Sequence, residues 1–303
     1  MVVKRGIRPF GARAVALATL LFAARAEAFC VGRTCNPDLE DCELDDDECV
    51  VSGAPLHWGS SCVTFDVQVG GSDKSGLDAE LVESVVERAF APWLAADCGN
   101  GHPSIKVGTF GPVTCDESRF NENGRNANIV MFRDEAWPYP DGADAYGTTM
   151  VRYDTRTGEL RDADIELNSA DFRIGIDTDG AVDLESILTH EIGHFLGLGH
   201  PGPRHPGATM SAGWDGRGKS LRTLTDDDVR GICELYPPER KAPASCEPVN
   251  GFSGECFVPK DQKSSASCAA SVRREGSGAG GPALALLVAF ASVRRRARRE
   301  TRH

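Results

Sequence analysis

A chain of 303 residues with 41% hydrophobic content can bury one sizeable core and still carry extensions at both ends. Its formal charge of −12 excludes a protein that works by neutralising nucleic-acid phosphates. The 11 cysteines are scattered, which excludes a thiolate metal cluster and points to disulfides in an exported protein, with the odd thiol free, modified or paired to another chain.

Residues 1–28 have the form of a secretory signal: Lys4, Arg5, Arg8 and Arg13 precede an apolar stretch over 14–24, and Ala26-Glu27-Ala28 fits a small-x-small cleavage site. A lipoprotein signal is the alternative because Cys30 follows closely, although Phe29 stands where a small residue is wanted. Residues 29–52 form an acidic arm in which Cys30, Cys35, Cys42 and Cys49 bracket a run too polar to build a core, most easily read as stapled by disulfides.

From residue 53 the composition becomes that of a folded domain, taken to extend to 240. The alternation over 62–67 predicts a strand, and Leu81, Val82, Val85, Val86, Ala89, Phe90 and Trp93 give 77–94 a helical period that Pro92 should shorten or kink. Strand-like runs follow at 104–110, 128–132, 147–153 and 163–167, with Thr155-Arg156-Thr157-Gly158 as the turn of a hairpin between the last two. The fold class is therefore α+β, a twisted sheet packed on helices.

The run His190-Glu191-Ile192-Gly193-His194-Phe195-Leu196-Gly197-Leu198-Gly199-His200 carries the chemistry. Asp183 is placed to cap a helix with Glu185 in its first turn, and Leu184, Leu188, Ile192 and Phe195 make its apolar stripe. On that helix His190 and His194 sit one turn apart on the face away from the stripe, with Glu191 beside them, close enough to hold a water. Gly197 lets the helix end in a left-handed conformation, after which the chain can swing His200 in as a third ligand. Three protein ligands that leave the fourth position to water mark a catalytic Zn2+ site, whereas surface histidines on an ordinary helix are the plainer alternative.

This run resembles the signature His-Glu-x-x-His-x-x-Gly-x-x-His of the metzincin metalloproteases, and within that clan the chain looks most like the matrixins. The resemblance implies a metzincin (zincin-like) fold with a twisted mixed sheet packed on helices, the active-site helix carrying the run that begins at His190. It implies that Met210, in Ala208-Thr209-Met210-Ser211, forms the turn beneath the metal without being a ligand. It also implies that the strand at 147–153 is the edge to which a peptide substrate adds. Ala212 stands where other metzincin branches carry a tyrosine, which favours the matrixin branch. The segment Leu224 to Pro237, with Thr225 as a cap and Asp226, Asp227 and Asp228 at the positive end, resembles the family's last helix. No histidine lies between His102 and His190, so the structural zinc of animal matrixins is missing as that family builds it. Asp162, Asp164 and Glu166, or Asp177 and Asp179, could hold Ca2+, exposed loop acids being the alternative. An inhibitory cysteine in the arm is a further implication, but Gly32-Arg33-Thr34-Cys35-Asn36 matches the family's motif poorly.

Residues 241–275 read as a Cys-containing linker with Cys246, Cys256 and Cys268, and 276–303 as a tail in which a short apolar stretch precedes Arg294, Arg295, Arg296, Arg298 and Arg299. The strongly apolar part, 282–293, is only 12 residues, short of the roughly 20 that a spanning helix needs. The order of cysteine, apolar stretch and arginines is similar to bacterial C-terminal sorting signals, with simple insertion as the alternative. The expectation is an exported or surface-held monomeric zinc endopeptidase that acts on protein or peptide through Glu191 as general base and associates with membrane through its tail. Its rival is a non-catalytic surface module on the same fold.

Overall fold

The computed structural model describes residues 29–37, 39–203 and 205–256 and the strand at 288–291; the predicted signal at 1–28 and the remainder of the linker and tail lie outside the described residues. In chain order the elements are β1 (Cys30–Val31), β2 (His57–Trp58), β3 (Cys62–Thr64), β4 (Asp66–Val67), α1 (Ala79–Leu94), β5 (Lys106–Gly108), β6 (Ile129–Phe132), β7 (Gly147–Tyr153) and β8 (Glu159–Leu167). Then come β9 (Ile174–Gly175), β10 (Val182–Asp183), α2 (Leu184–Phe195), β11 (Leu198–Gly199), α3 (Asp226–Leu235) and β12 (Val288–Ala291).

The main sheet runs in the order β12-β7-β8-β6-β4, with β2 also against β8. The pairs β4–β6, β6–β8 and β2–β8 are parallel, while β7–β8 and β12–β7 are antiparallel. A mixed sheet of this kind needs cover on its face, and α1 and α2 supply it. Val82, Val85, Val86, Ala89, Phe90 and Trp93 of α1 are buried at helical spacing against Ile187, Leu188, Ile192 and Phe195 of α2. The Trp93 indole N–H donates to the Thr189 carbonyl of α2 at 2.9 Å, so the two helices are joined by a buried bond as well as by apolar area.

Several elements differ in extent from the sequence reading, among them the strand expected over 104–110, of which only Lys106–Gly108 forms. The strand expected over 62–67 is two short ones, because it changes partner at Phe65: β3 pairs with β5, and β4 with β6. Helix α1 runs through Pro92 to Leu94. Proline there removes one intrahelical bond, and complete burial of Phe90 and Trp93, worth roughly 1.5–3 kcal/mol for a large apolar side chain, holds the last turn in place. Strand β8 starts at Glu159, four residues before the expected 163, because β2 and the turn after β7 give its first residues partners.

Five disulfides tie the described residues together: Cys30–Cys49, Cys35–Cys42, Cys62–Cys246, Cys98–Cys233 and Cys115–Cys256. Cys268 lies outside the described residues. The segment 241–256, expected to be a linker, is bound to the body: Ser61 N–H donates to the Pro243 carbonyl at 2.7 Å, and Asn126 Nδ2 to the Val249 carbonyl at 2.9 Å.

The acids considered for calcium have other work. Glu166 forms an ion pair with Arg133 and accepts from the Tyr139 hydroxyl at 2.5 Å, and Asp177 is paired with Lys219 and with Arg222. Among the described residues Asp162, Asp164 and Glu166 do not form a group of three ligand atoms close enough for one ion. Burial pushes the Asp164 carboxyl up to about 7, against the lowering effect of the Ile129 N–H that it accepts at 2.9 Å. Because the folded value lies above the ordinary 3.8, folding takes up a proton between about pH 4 and 7, and stability from this group falls as pH rises through that window. Asp164→Asn keeps the acceptor for Ile129 and cannot ionise. Its urea midpoint relative to wild type should therefore rise between pH 4 and 7; a difference that does not change with pH would contradict the assignment.

Candidate metal centre

Helix α2 is fixed at both ends. At its start the Asp183 carboxylate accepts from Ser186 N–H at 3.0 Å and receives Arg222 in a two-pronged ion pair, at 2.5 Å from Nη2 and 2.8 Å from Nε. Burial pushes this carboxyl up, but its bonds to Arg222 and Ser186 hold it below the usual range. At its end, carbonyls that a helix leaves orphaned are taken one after another. The Phe195 carbonyl accepts from the Trp58 indole at 2.8 Å, Leu196 from the Tyr236 hydroxyl at 2.7 Å, Gly197 from Gly32 N–H at 2.8 Å, and Leu198 from His194 Nδ1 at 2.9 Å. Gly197 has φ +99°, and a Cβ there would lie 2.3 Å from the Leu56 carbonyl, so both conformation and space require glycine at this turn.

Beyond that turn the chain brings His200 back to the helix. Its Nε2 lies 3.2 Å from His190 Nε2 and 3.0 Å from His194 Nε2. The His190 Nδ1 is 2.7 Å from the Thr209 carbonyl, and His194 Nδ1 faces Leu198 as described. A carbonyl can only accept, so both Nδ1 atoms carry the proton and both Nε2 atoms present a lone pair toward the common point. Burial, which disfavours the imidazolium, lowers His190 to about 4 and His194 well below its ordinary value, so both rings are neutral at pH 7. Three converging imidazole nitrogens, two of them with fixed tautomers, are a donor set that fits zinc.

Glu191 is fully buried beside them. The Thr149 hydroxyl on β7 donates to Glu191 Oε2 at 2.7 Å, which fixes the carboxylate over the strand. Met210 lies beneath α2, where a Cβ on Gly193 would come within 2.1 Å of its sulfur. The turn that carries it is held by Asp228, whose two carboxylate oxygens accept from Thr209 N–H at 2.9 Å and Met210 N–H at 3.1 Å. The same carboxylate closes a capping box with Thr225 at the start of α3.

The structure thus brings His190, His194, His200 and Glu191 together, with Met210 below. Sequence reasoning missed the supports. Thr149 is one residue in an apolar strand, and the acids at 226–228 were read only as favourable to a helix start, which gave no sign that one of them also holds the turn beneath the metal site. The stripe of α2 packs into the core as expected, and His190, Glu191 and His194 on the face that carries the candidate ligands are as buried as the stripe.

A mixed sheet beneath a central helix, with two of its histidines joined by a third from beyond a glycine turn, defines the metzincin class of fold. The chain belongs to the matrixin family, whose profile matches residues 57–237. Metalloendoproteinase 2-MMP of Arabidopsis thaliana is 34% identical over 204 residues, covering 65% of this chain and 46% of that protein. Metalloendoproteinase 1-MMP of the same plant is 51% identical over 61 residues, 20% of this chain and 16% of its own length. Matrilysin of Rattus norvegicus is 38% identical over 63 residues, 21% of this chain and 23% of its own. The chain spans less than half the length of these relatives.

Replacing Asp228 by Ala removes the reciprocal half of the capping box and the charged acceptor of two buried N–H groups, the latter worth about 1.5–3 kcal/mol each. Asp228→Ala should lower the unfolding free energy of the zinc-free, disulfide-intact chain by at least about 3 kcal/mol in urea titration. A loss below about 1 kcal/mol would mean that the turn does not depend on this carboxylate.

Proposed function

We propose that the protein is an exported zinc endopeptidase in which His190, His194 and His200 hold the metal and Glu191 is the general base. The reading is carried by one observation, the convergence of three imidazole nitrogens, two of them of fixed tautomer, beside a carboxylate that is itself held by the adjacent strand. Membership of the matrixin family supports it. When bound, zinc would polarise the scissile carbonyl and bring the pKa of water toward neutrality.

The chain's own residues do the rest. Glu191 orients the attacking water through a carboxylate oxygen, takes its proton as attack proceeds, and passes that proton to the leaving nitrogen. The Thr149 hydroxyl lies 2.7 Å from Oε2 and 3.0 Å from the Glu191 carbonyl, and its donation to Oε2 orients the base for the two transfers. The substrate backbone adds to β7, next to Glu191. In this structure Val288–Ala291 pairs with that edge, Phe290 opposite Thr149, so an incoming peptide has to displace the segment. The signal at 1–28 and the disulfides support export, and the apolar stretch with its arginines supports retention at the cytoplasmic membrane.

Glu191→Ala should keep zinc and fold while peptide cleavage drops on the order of a hundredfold or more. His194→Ala should instead lose near-stoichiometric zinc on metal analysis. Full activity in the first variant, or full zinc in the second, would exclude these roles. Ending the chain before Ser264 should move the protein from membrane fractions to the medium and lower KM for an extended peptide, since β7 is then open. Identical partition and KM for the two forms would leave the tail no part in location or access.

A further inference from the structure

The arm at 29–52 packs against α3 and residues 54–56, and it also pairs with the stretch that links α2 to His200. Strand β11 belongs to a two-stranded sheet whose other member is β1, with Cys30 opposite Gly199 and Val31 opposite Leu198. Gly32 N–H donates to the Gly197 carbonyl at 2.8 Å, and the Gly32 carbonyl accepts from Leu56 N–H at 2.7 Å, so the arm lies between the body and this stretch. Further along the loop, a Cβ on Gly202 would fall 2.0 Å from the Asp47 carbonyl, and the Asp47 carboxylate is 3.6 Å from His205 Nε2. The disulfide Cys30–Cys49 draws the two contacting ends of the arm together, and both cysteines are buried.

Two candidate ligands depend on the segment so held. Leu198 supplies the carbonyl that fixes the tautomer of His194, and Gly199 immediately precedes His200. The arm's cysteines are bonded to one another, Cys35 to Cys42 as well as Cys30 to Cys49, so none of them offers a thiolate to a metal. We propose that the arm is a permanent part of the metal centre, a backbone clamp that positions His194 and His200 through Gly197–Gly199, and not a removable inhibitor. The inference rests on the reading of the three histidines as zinc ligands. Groups that orient ligands from behind typically change metal affinity by about tenfold to a hundredfold when they are lost.

The test uses the full chain with Cys30→Ala and Cys49→Ala combined, and separately Gly32→Pro, which removes the N–H to Gly197 while Val31 before it stays extended as a residue preceding proline prefers. Zinc affinity is read by competition with a chromogenic chelator, on protein shown by circular dichroism to be folded. Both variants should bind zinc about tenfold or more weakly, and hydrogen exchange at 198–200 should speed up while that of α1 does not. A merely structural arm would lower stability throughout and leave the affinity of the folded protein unchanged, which would overturn the inference. A rise in peptide cleavage at full zinc occupancy would overturn it in favour of an inhibitor. Failure of the metal reading itself looks different, since the wild-type chain would then bind no zinc, and both conclusions would fall.

Discussion

Two backbone carbonyls decide what the histidine cluster can do. Thr209 and Leu198 each accept an Nδ1–H, and this turns the opposite nitrogens of His190 and His194 into lone pairs aimed at His200. An imidazole with the other tautomer would present an N–H to the same point and could not ligate. Much of the surrounding structure can be understood as holding those two carbonyls still. Asp228 fixes the turn that carries Thr209, and the arm fixes the strand that carries Leu198. Neither support touches the histidines, and each comes from a segment far from them in sequence.

The cost of this design is burial of polar groups, and the structure offsets it only in part, both Asp162 carboxylate oxygens being buried without a hydrogen-bond partner among the described residues. Burial keeps the two helix imidazoles neutral, which suits ligation. It also concentrates acids under the sheet, where Asp162 and Asp164 share a face of β8 and are both pushed above the ordinary carboxylate range, chiefly by desolvation. Arg152, opposite Asp162 on β7, and Arg133, against Glu166, supply the compensating positive charge.

What could be read from the sequence was what depends on local spacing. The one-turn interval between His190 and His194, the glycine before the return to His200, and the caps Asp183 and Thr225 follow from helix geometry, and the helices stand where those signals put them. The α+β class follows from the same periodicities. What could not be read was pairing at a distance. That β3 and β4 change partner at Phe65, that β1 finds β11, and which cysteine meets which are decided by the assembled fold. Thr149 shows the limit most clearly, because a hydroxyl in a β strand has no pattern that distinguishes a bond to a carboxylate from a bond to water.

Three of the disulfides share a topology. Cys62–Cys246, Cys98–Cys233 and Cys115–Cys256 each join a residue before α2 to one after it. Any single cut between residues 116 and 232 therefore leaves two pieces bound by all three bridges, and β7, α2 and His200 lie in that interval. As the endopeptidase proposed above, the protein would work where peptide bonds are being broken, its own included. A chain nicked there would stay one covalent molecule, so damage of the sort it is proposed to inflict would not by itself separate its pieces.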